Sequence, residues 1–149
     1  MIQANLFIDN HWATTYSSDA LIIATPTGST AYALAVGGPI LPPDLKNILI
    51  VPTAAHLSMD RPIVLSEGSQ VAVRLSTENR NDSIVTVDGT RLAEIRESDI
   101  LYISACDYVS RFVRMRERNY FYRSLLDRLE PRVNRTPDKK LLKPIQGDS

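Results

Sequence analysis

Apolar and polar residues alternate along most of the chain, and turn residues interrupt the alternation every few positions. This pattern predicts strands at residues 5–8, 11–16, 21–25, 48–52, 62–65, 70–76, 84–87, 91–95, 100–104 and 108–115. Within 70–76, Val71, Val73 and Leu75 share one face while Ala72, Arg74 and Ser76 share the other, as in a half-buried strand. Ile8-Asp9-Asn10-His11 reads as a tight hairpin, and so does Asp88-Gly89 between two alternating runs. Ile22 and Ile23 are consecutive apolar residues, so their strand is expected to be covered on both faces.

Two segments break the strand pattern. Residues 29–36 can form a short helix after Gly28, stopped by Gly37-Gly38-Pro39. In 119–129, Asn119 can cap a helix on which Phe121, Leu125 and Leu129 recur every four residues. The expected fold is therefore mainly β, a sandwich-like domain with one short inserted helix and a C-terminal helix. It occupies residues 1–130, and residues 131–149 form a polar, loosely held tail with few anchors.

Composition adds a charge asymmetry. Of 149 residues, 44% are hydrophobic and 23% charged, enough apolar material for one packed domain. The 17 Lys and Arg balance the 17 Asp and Glu, but residues 1–110 hold six basic and twelve acidic side chains and residues 111–149 eleven and five. Arg111, Arg114, Arg116 and Arg118 invite a nucleic-acid reading, yet no interleaved aromatic ladder accompanies them. A solvated face or a subunit contact with the acidic body fits better, and no nucleic acid or membrane partner is expected. Cys106 is the single cysteine, which leaves no disulfide framework within the chain. With no apolar run long enough to span a bilayer and no charged leader, a cytoplasmic protein is expected.

The richest stretch chemically is 24–32, Ala-Thr-Pro-Thr-Gly-Ser-Thr-Ala-Tyr, where a strand runs through hydroxyls and a glycine into a helix. Such a loop can offer backbone N–H groups, a helix dipole and hydroxyls to a phosphate or ribose. It lacks the Lys of a Walker A loop. On chemistry alone it reads equally as an ordinary strand-to-helix turn with Ser/Thr capping. Asp19 likewise reads as a turn acid, and His56 as a structural histidine.

Asp19-Ala-Leu-Ile-Ile-Ala-Thr-Pro-Thr-Gly-Ser-Thr-Ala-Tyr32, followed by Gly37-Gly38-Pro39-Ile40, resembles the Asp-Gly-Leu, Thr-Pro-Thr-Gly-Ser-Thr-Ala-Tyr and Gly-Gly-Pro blocks of the NAD kinase family. Pro52-Thr-Ala-Ala-His56 and Arg61-Pro-Ile-Val64 resemble its Pro-x-x-x-His and Arg-Pro-Leu-Val segment, and Val85-Thr-Val-Asp-Gly89 its Phe-Asp-Gly strand. The resemblance covers about residues 3–130, in order. It implies that this chain is the β-rich NAD-binding domain, without the N-terminal α/β catalytic domain that carries the family's Gly-Gly-Asp-Gly loop.

In a complete enzyme, the resemblance implies transfer of a phosphoryl group from ATP or polyphosphate, with a divalent metal such as magnesium, to the 2′-hydroxyl of the adenosine ribose of NAD. It places Thr30, Ala31 and Tyr32 along the adenine and ribose. Asp19 and the segment from Ala54 to His56 approach the dinucleotide, in some members from a neighbouring subunit, which implies a homo-oligomer. No catalytic residue and no metal ligand is assigned to this chain, and alone it is expected to be inactive. Ala20 departs from the family's glycine beside Asp19, Ala35 stands where some members have serine, and Gly89 where a few present an imidazole. A non-catalytic nucleotide-binding regulatory module and a pure assembly domain remain the alternative readings.

Overall fold

Two tight turns set the register of the strands around them. Asp9 and Asn10 have φ of 49° and 66°, and Asp88 and Gly89 have φ of 48° and 81°, so both central residues of each turn are left-handed. That twist matches the strands of a hairpin. The computed structural model describes residues 1–77, 83–111, 113, 115 and 120–129. The first turn joins β1 (Ile2–Ile8) to β2 (His11–Ser18), and the second joins β7 (Ser83–Val87) to β8 (Thr90–Ile95). Between them lie β3 (Ala20–Ala24), β4 (Ile48–Thr53), β5 (Ile63–Leu65) and β6 (Val71–Leu75), and β9 (Ile100–Ile103) follows.

All strand pairs among the described residues are antiparallel. β2-β1-β6-β9 form a four-stranded sheet, β3-β4-β5 a three-stranded sheet, and β7-β8 a separate ribbon. The two larger sheets pack face to face. Ala4, Leu6, Tyr16, Val71 and Val73 of one meet Ile48 and Ile50 of the other in a single buried cluster. The alternation expected for residues 70–76 holds, with Val71, Val73 and Leu75 buried and Arg74 exposed.

The opposite face of the three-stranded sheet is covered as well. Ala33, Leu41, Leu49 and Val51 form a second buried cluster, against which Ile22 and Ala24 pack. β4 is therefore buried on both sides, and its run Ile-Leu-Ile-Val lacks alternation for that reason. Burying each such aliphatic side chain contributes about 1.5–3 kcal/mol, so this strand is the hub of the fold. Tyr16, fully enclosed in the first cluster, has a phenol oxygen with no hydrogen-bond partner.

Some elements differ from the sequence expectation. The inserted helix is two short pieces, a 3-10 turn at Thr27–Thr30 and a single α turn, α1, at Tyr32–Ala35. They are broken at Ala31, whose ψ of −130° cannot continue a helix. The strand expected at 108–115 does not form at its described residues, and positions 112 and 114 lie outside them. Tyr108 and Val113 are exposed there, and alternation without a ladder partner leaves a strand's backbone groups unbonded. The chain divides into two compact units, Met1–Tyr108 and Val109–Ser149. The second contains α2 (Tyr120–Leu129), as the four-residue apolar spacing predicts. The proposed cap, Asn119, and the polar tail lie outside the described residues.

Candidate functional site

The 24–32 stretch leaves the Ala24 end of β3 and turns back sharply. The N–H of Gly28 donates to the Thr25 hydroxyl at 3.3 Å, and that of Ser29 to the Thr25 carbonyl at 3.0 Å. The fully buried Ser29 hydroxyl donates to the Pro26 carbonyl at 2.6 Å and accepts the N–H of Leu41 at 3.0 Å. The Thr30 hydroxyl donates to the Thr27 carbonyl at 3.2 Å, and the Ala31 N–H to Gly28 at 3.0 Å.

This corrects part of the sequence expectation. The loop spends these amides and hydroxyls on itself, and a single α turn carries almost no macrodipole, so a phosphate cradle is not what it offers. What it presents outward is the side chain of Tyr32, 61% exposed, next to exposed Ala31 and half-buried Thr30. A rigid turn carrying a free aromatic face suits a planar, partly polar ligand.

Asp19, Ala54 and His56 gather at the other end of β3. The Asp19 N–H donates to the Thr53 carbonyl at 2.9 Å, and the His56 N–H to the Ser17 carbonyl at 2.8 Å. Ser58 clasps the same residue twice: its hydroxyl accepts the Ser17 N–H at 3.0 Å and donates to the Ser17 carbonyl at 3.2 Å. Ala54 and Leu57 sit at φ of 49° and 51°, a left-handed conformation that costs a non-glycine residue about 1–3 kcal/mol and persists only where neighbours hold it. The clasp to Ser17 supplies that hold. The side chains of Asp19, Ala54 and His56 are all exposed.

β3 thus anchors one group beyond each of its ends, Ala20 and Ala24, which four steps of about 3.3 Å set about 13 Å apart. Thr30, Ala31 and Tyr32 belong to one, and Asp19, Ala54 and His56 to the other. The Ser29 anchor and the Ser17–Ser58 clasp escaped sequence reasoning. Ser29 lies inside a motif read as ligand-facing, and Ser58 is 41 positions from its partner. Among the described residues, no three His, Cys, Asp or Glu side chains gather into a set able to hold a metal ion. No helix there is long and apolar enough to cross a membrane.

The family model of the ATP-NAD kinase C-terminal domain matches residues 1–115. An NAD kinase of Chloroflexus aurantiacus is 40% identical over 129 residues, covering 87% of this chain and 46% of the relative. One of Geobacter metallireducens is 38% identical over 121 residues, covering 81% and 42%. The chain spans less than half the length of these curated relatives. Among solved structures, yeast NADH kinase complexed with NADH superposes with a TM-score of 0.62 at 31% identity, covering 68% of this chain and 29% of that one. An NAD kinase from Archaeoglobus fulgidus in complex with ATP gives 0.61 at 27% identity, covering 72% and 41%.

Proposed function

The chain belongs to the ATP-NAD kinase C-terminal domain family, and we propose that it supplies the dinucleotide-binding and self-associating part of an NAD kinase. The observation that carries this reading is the exposed Tyr32 ring on a turn locked from below by buried Ser29. In this reading the ring packs on the adenine, and Thr30 and Ala31 run along the ribose. Asp19, Ala54 and His56 approach the same ligand. Because β3 holds the two groups at opposite ends, a ligand touching both either spans the strand or bridges two copies. The second arrangement makes the homo-oligomer part of the site.

The complete enzyme moves a phosphoryl group from ATP or polyphosphate to the 2′-hydroxyl of the adenosine ribose of NAD, giving NADP in the cytoplasm. A phosphoryl donor and a divalent metal supply the reacting group and its charge neutralisation, and this chain's residues orient the acceptor. The sequence contains no Gly-Gly-Asp-Gly loop, so the chain by itself binds without turnover. Titration calorimetry with NAD tests the binding half, and an NADP assay with ATP, polyphosphate and magnesium tests the other. Absence of binding heat at millimolar NAD, with the protein folded, overturns the dinucleotide reading. NADP formation above a protein-free control overturns the claim of inactivity.

A further inference from the structure

The four-stranded sheet has one face in the core and one that the sandwich leaves open. On the open side lies a cleft of about 270 Å³, whose lining includes Asn5, Arg74, Thr77, Glu97, Ser98 and Ile100. None of the six candidate residues at the ends of β3 lines it. Its volume falls just under the roughly 300 Å³ at which pockets for drug-sized ligands begin, so it suits a small metabolite and not a dinucleotide.

The polar groups of the cleft have fixed places. Asn5 on β1 and Arg74 on β6 are cross-strand partners, and Arg74 is partnered in turn by Ile100 on β9, so the three side chains share the open face. The Thr15 hydroxyl donates to Asn5 Oδ1 at 2.7 Å, which orients the amide and leaves its Nδ2 as a donor. The guanidinium of Arg74 lies 5.9 Å from the centre of the Phe7 ring, a contact that orders it without using its N–H groups. Across the cleft, Asp99 closes a tight turn. Its carboxylate accepts the Arg96 N–H at 2.8 Å, and its own N–H donates to the Arg96 carbonyl at 3.0 Å. Glu97 and Ser98 are the two central residues of that turn. Arg74 and Glu97 thus bring opposite charges to one cleft, yet among the described residues neither is ion-paired, with the other or with a third group.

We propose that this cleft binds a small α-amino acid as its zwitterion. Arg74 and Asn5 Nδ2 donate to the carboxylate, and Glu97 accepts from the ammonium. The Thr77 and Ser98 hydroxyls and the Ile100 side chain meet the rest of the molecule. Ligands of a single sign fit less well. A phosphate or a dicarboxylate satisfies Arg74 and Asn5 but is repelled by Glu97, and an amine reverses the mismatch. A ligand that carries both charges a few bonds apart satisfies both. Arg74 and Glu97 are exposed, so water weakens each contact and millimolar affinity is expected. The inference goes beyond the dinucleotide reading and does not depend on it.

Titration of the whole chain with L-serine, followed by two-dimensional amide NMR, reads the cleft through the Asn5 side-chain amide, Arg74 Nε–H and the backbone amides of Glu97 and Ser98. The expected result is saturable shifts at these groups, with acetate and methylammonium each at least about tenfold weaker. Arg74→Gln and Glu97→Gln should each weaken serine binding about tenfold or more, as loss of a hydrogen bond to a charged group does. Arg91→Gln on the β7–β8 ribbon should bind as wild type, and circular dichroism checks that every variant is folded. If acetate binds as tightly as serine, or folded Glu97→Gln binds serine like wild type, the cleft takes an anion and the zwitterion is wrong. Absence of saturable shifts at these groups at tens of millimolar serine overturns the site itself. Serine shifts reversed by NAD would make the cleft part of the dinucleotide site and overturn its separateness. Failure of NAD to bind, with serine binding intact, removes only the proposed function.

Discussion

The hydroxyl of Ser29 joins two segments twelve residues apart, accepting the N–H of Leu41 at 3.0 Å while donating to the Pro26 carbonyl at 2.6 Å. This one buried group fixes the 24–32 turn to the segment after α1, whose Leu41 belongs to the second core cluster. Thr30, Ala31 and exposed Tyr32 inherit their position from it.

Ser29→Ala should therefore destabilise the chain by about 1–3 kcal/mol, because it leaves the Leu41 amide buried without an acceptor. Urea unfolding measures the loss. Ser29→Thr, which keeps the hydroxyl, tests whether lost bonding or crowding is responsible. A Ser29→Ala protein as stable as wild type would mean that water replaces the hydroxyl.

Gly38 has a second constraint on the same turn. A Cβ there would lie 2.7 Å from the Ala33 carbonyl oxygen and 3.1 Å from Val51 Cγ2. Backbone cannot yield as a side-chain tip does, so Gly38→Ala should cost about 1–3 kcal/mol through overpacking. Gly37→Ala meets no atom within 4 Å but must hold φ of +89°, and should cost about 1–2 kcal/mol by strain alone. Denaturation of both variants separates crowding from conformation. Only the first is expected to loosen the α1 contact with β4.

Tyr16 ties stability to alkaline pH. Burial pushes its phenol above the ordinary tyrosine value, so the unfolded chain releases this proton first. Its contribution is complete below about pH 10 and is lost as pH rises from there through the folded-state value. Tyr16→Phe removes an unpartnered buried hydroxyl and should be neutral or stabilising by about 1 kcal/mol at neutral pH. Its advantage over wild type should widen above pH 10. Unfolding free energies at pH 7 and pH 11 decide the point, and an advantage that shrinks with pH would contradict it.

In a full-length enzyme carrying this domain, Tyr32→Ala should weaken NAD binding roughly 5- to 150-fold, by analogy with the about 1–3 kcal/mol of a base stacked on an aromatic ring. Thr30→Ala should cost less, near the about 0.5–1.5 kcal/mol of one neutral hydrogen bond. Ser76→Ala, beyond the end of β6, serves as the reference. Equal NAD affinity of the folded Tyr32 and Ser76 variants would remove the ring from the dinucleotide site.

The sequence by itself determined the local devices, because each rests on residues a few positions apart. Both hairpins follow from Asp9-Asn10 and Asp88-Gly89, whose conformation is a property of adjacent residues. The inward face of β6 follows from a period of two. The motif blocks, read in order, carried the family resemblance and the six candidate residues. The tertiary structure decided which groups are available. Ser29 and Thr30 look alike in the chain, yet one is buried and bonded twice while the other is half exposed. That difference comes from Leu41, which no local rule places there. The same holds for Ser17 and Ser58, and for Trp12, which strict alternation assigns to the core and a single bulged pair turns to the open face. Residues far apart in sequence meet only when packing brings them together, so burial and pairing are tertiary facts. Where the 108–115 pattern found no ladder partner, alternation alone built no strand at the described residues.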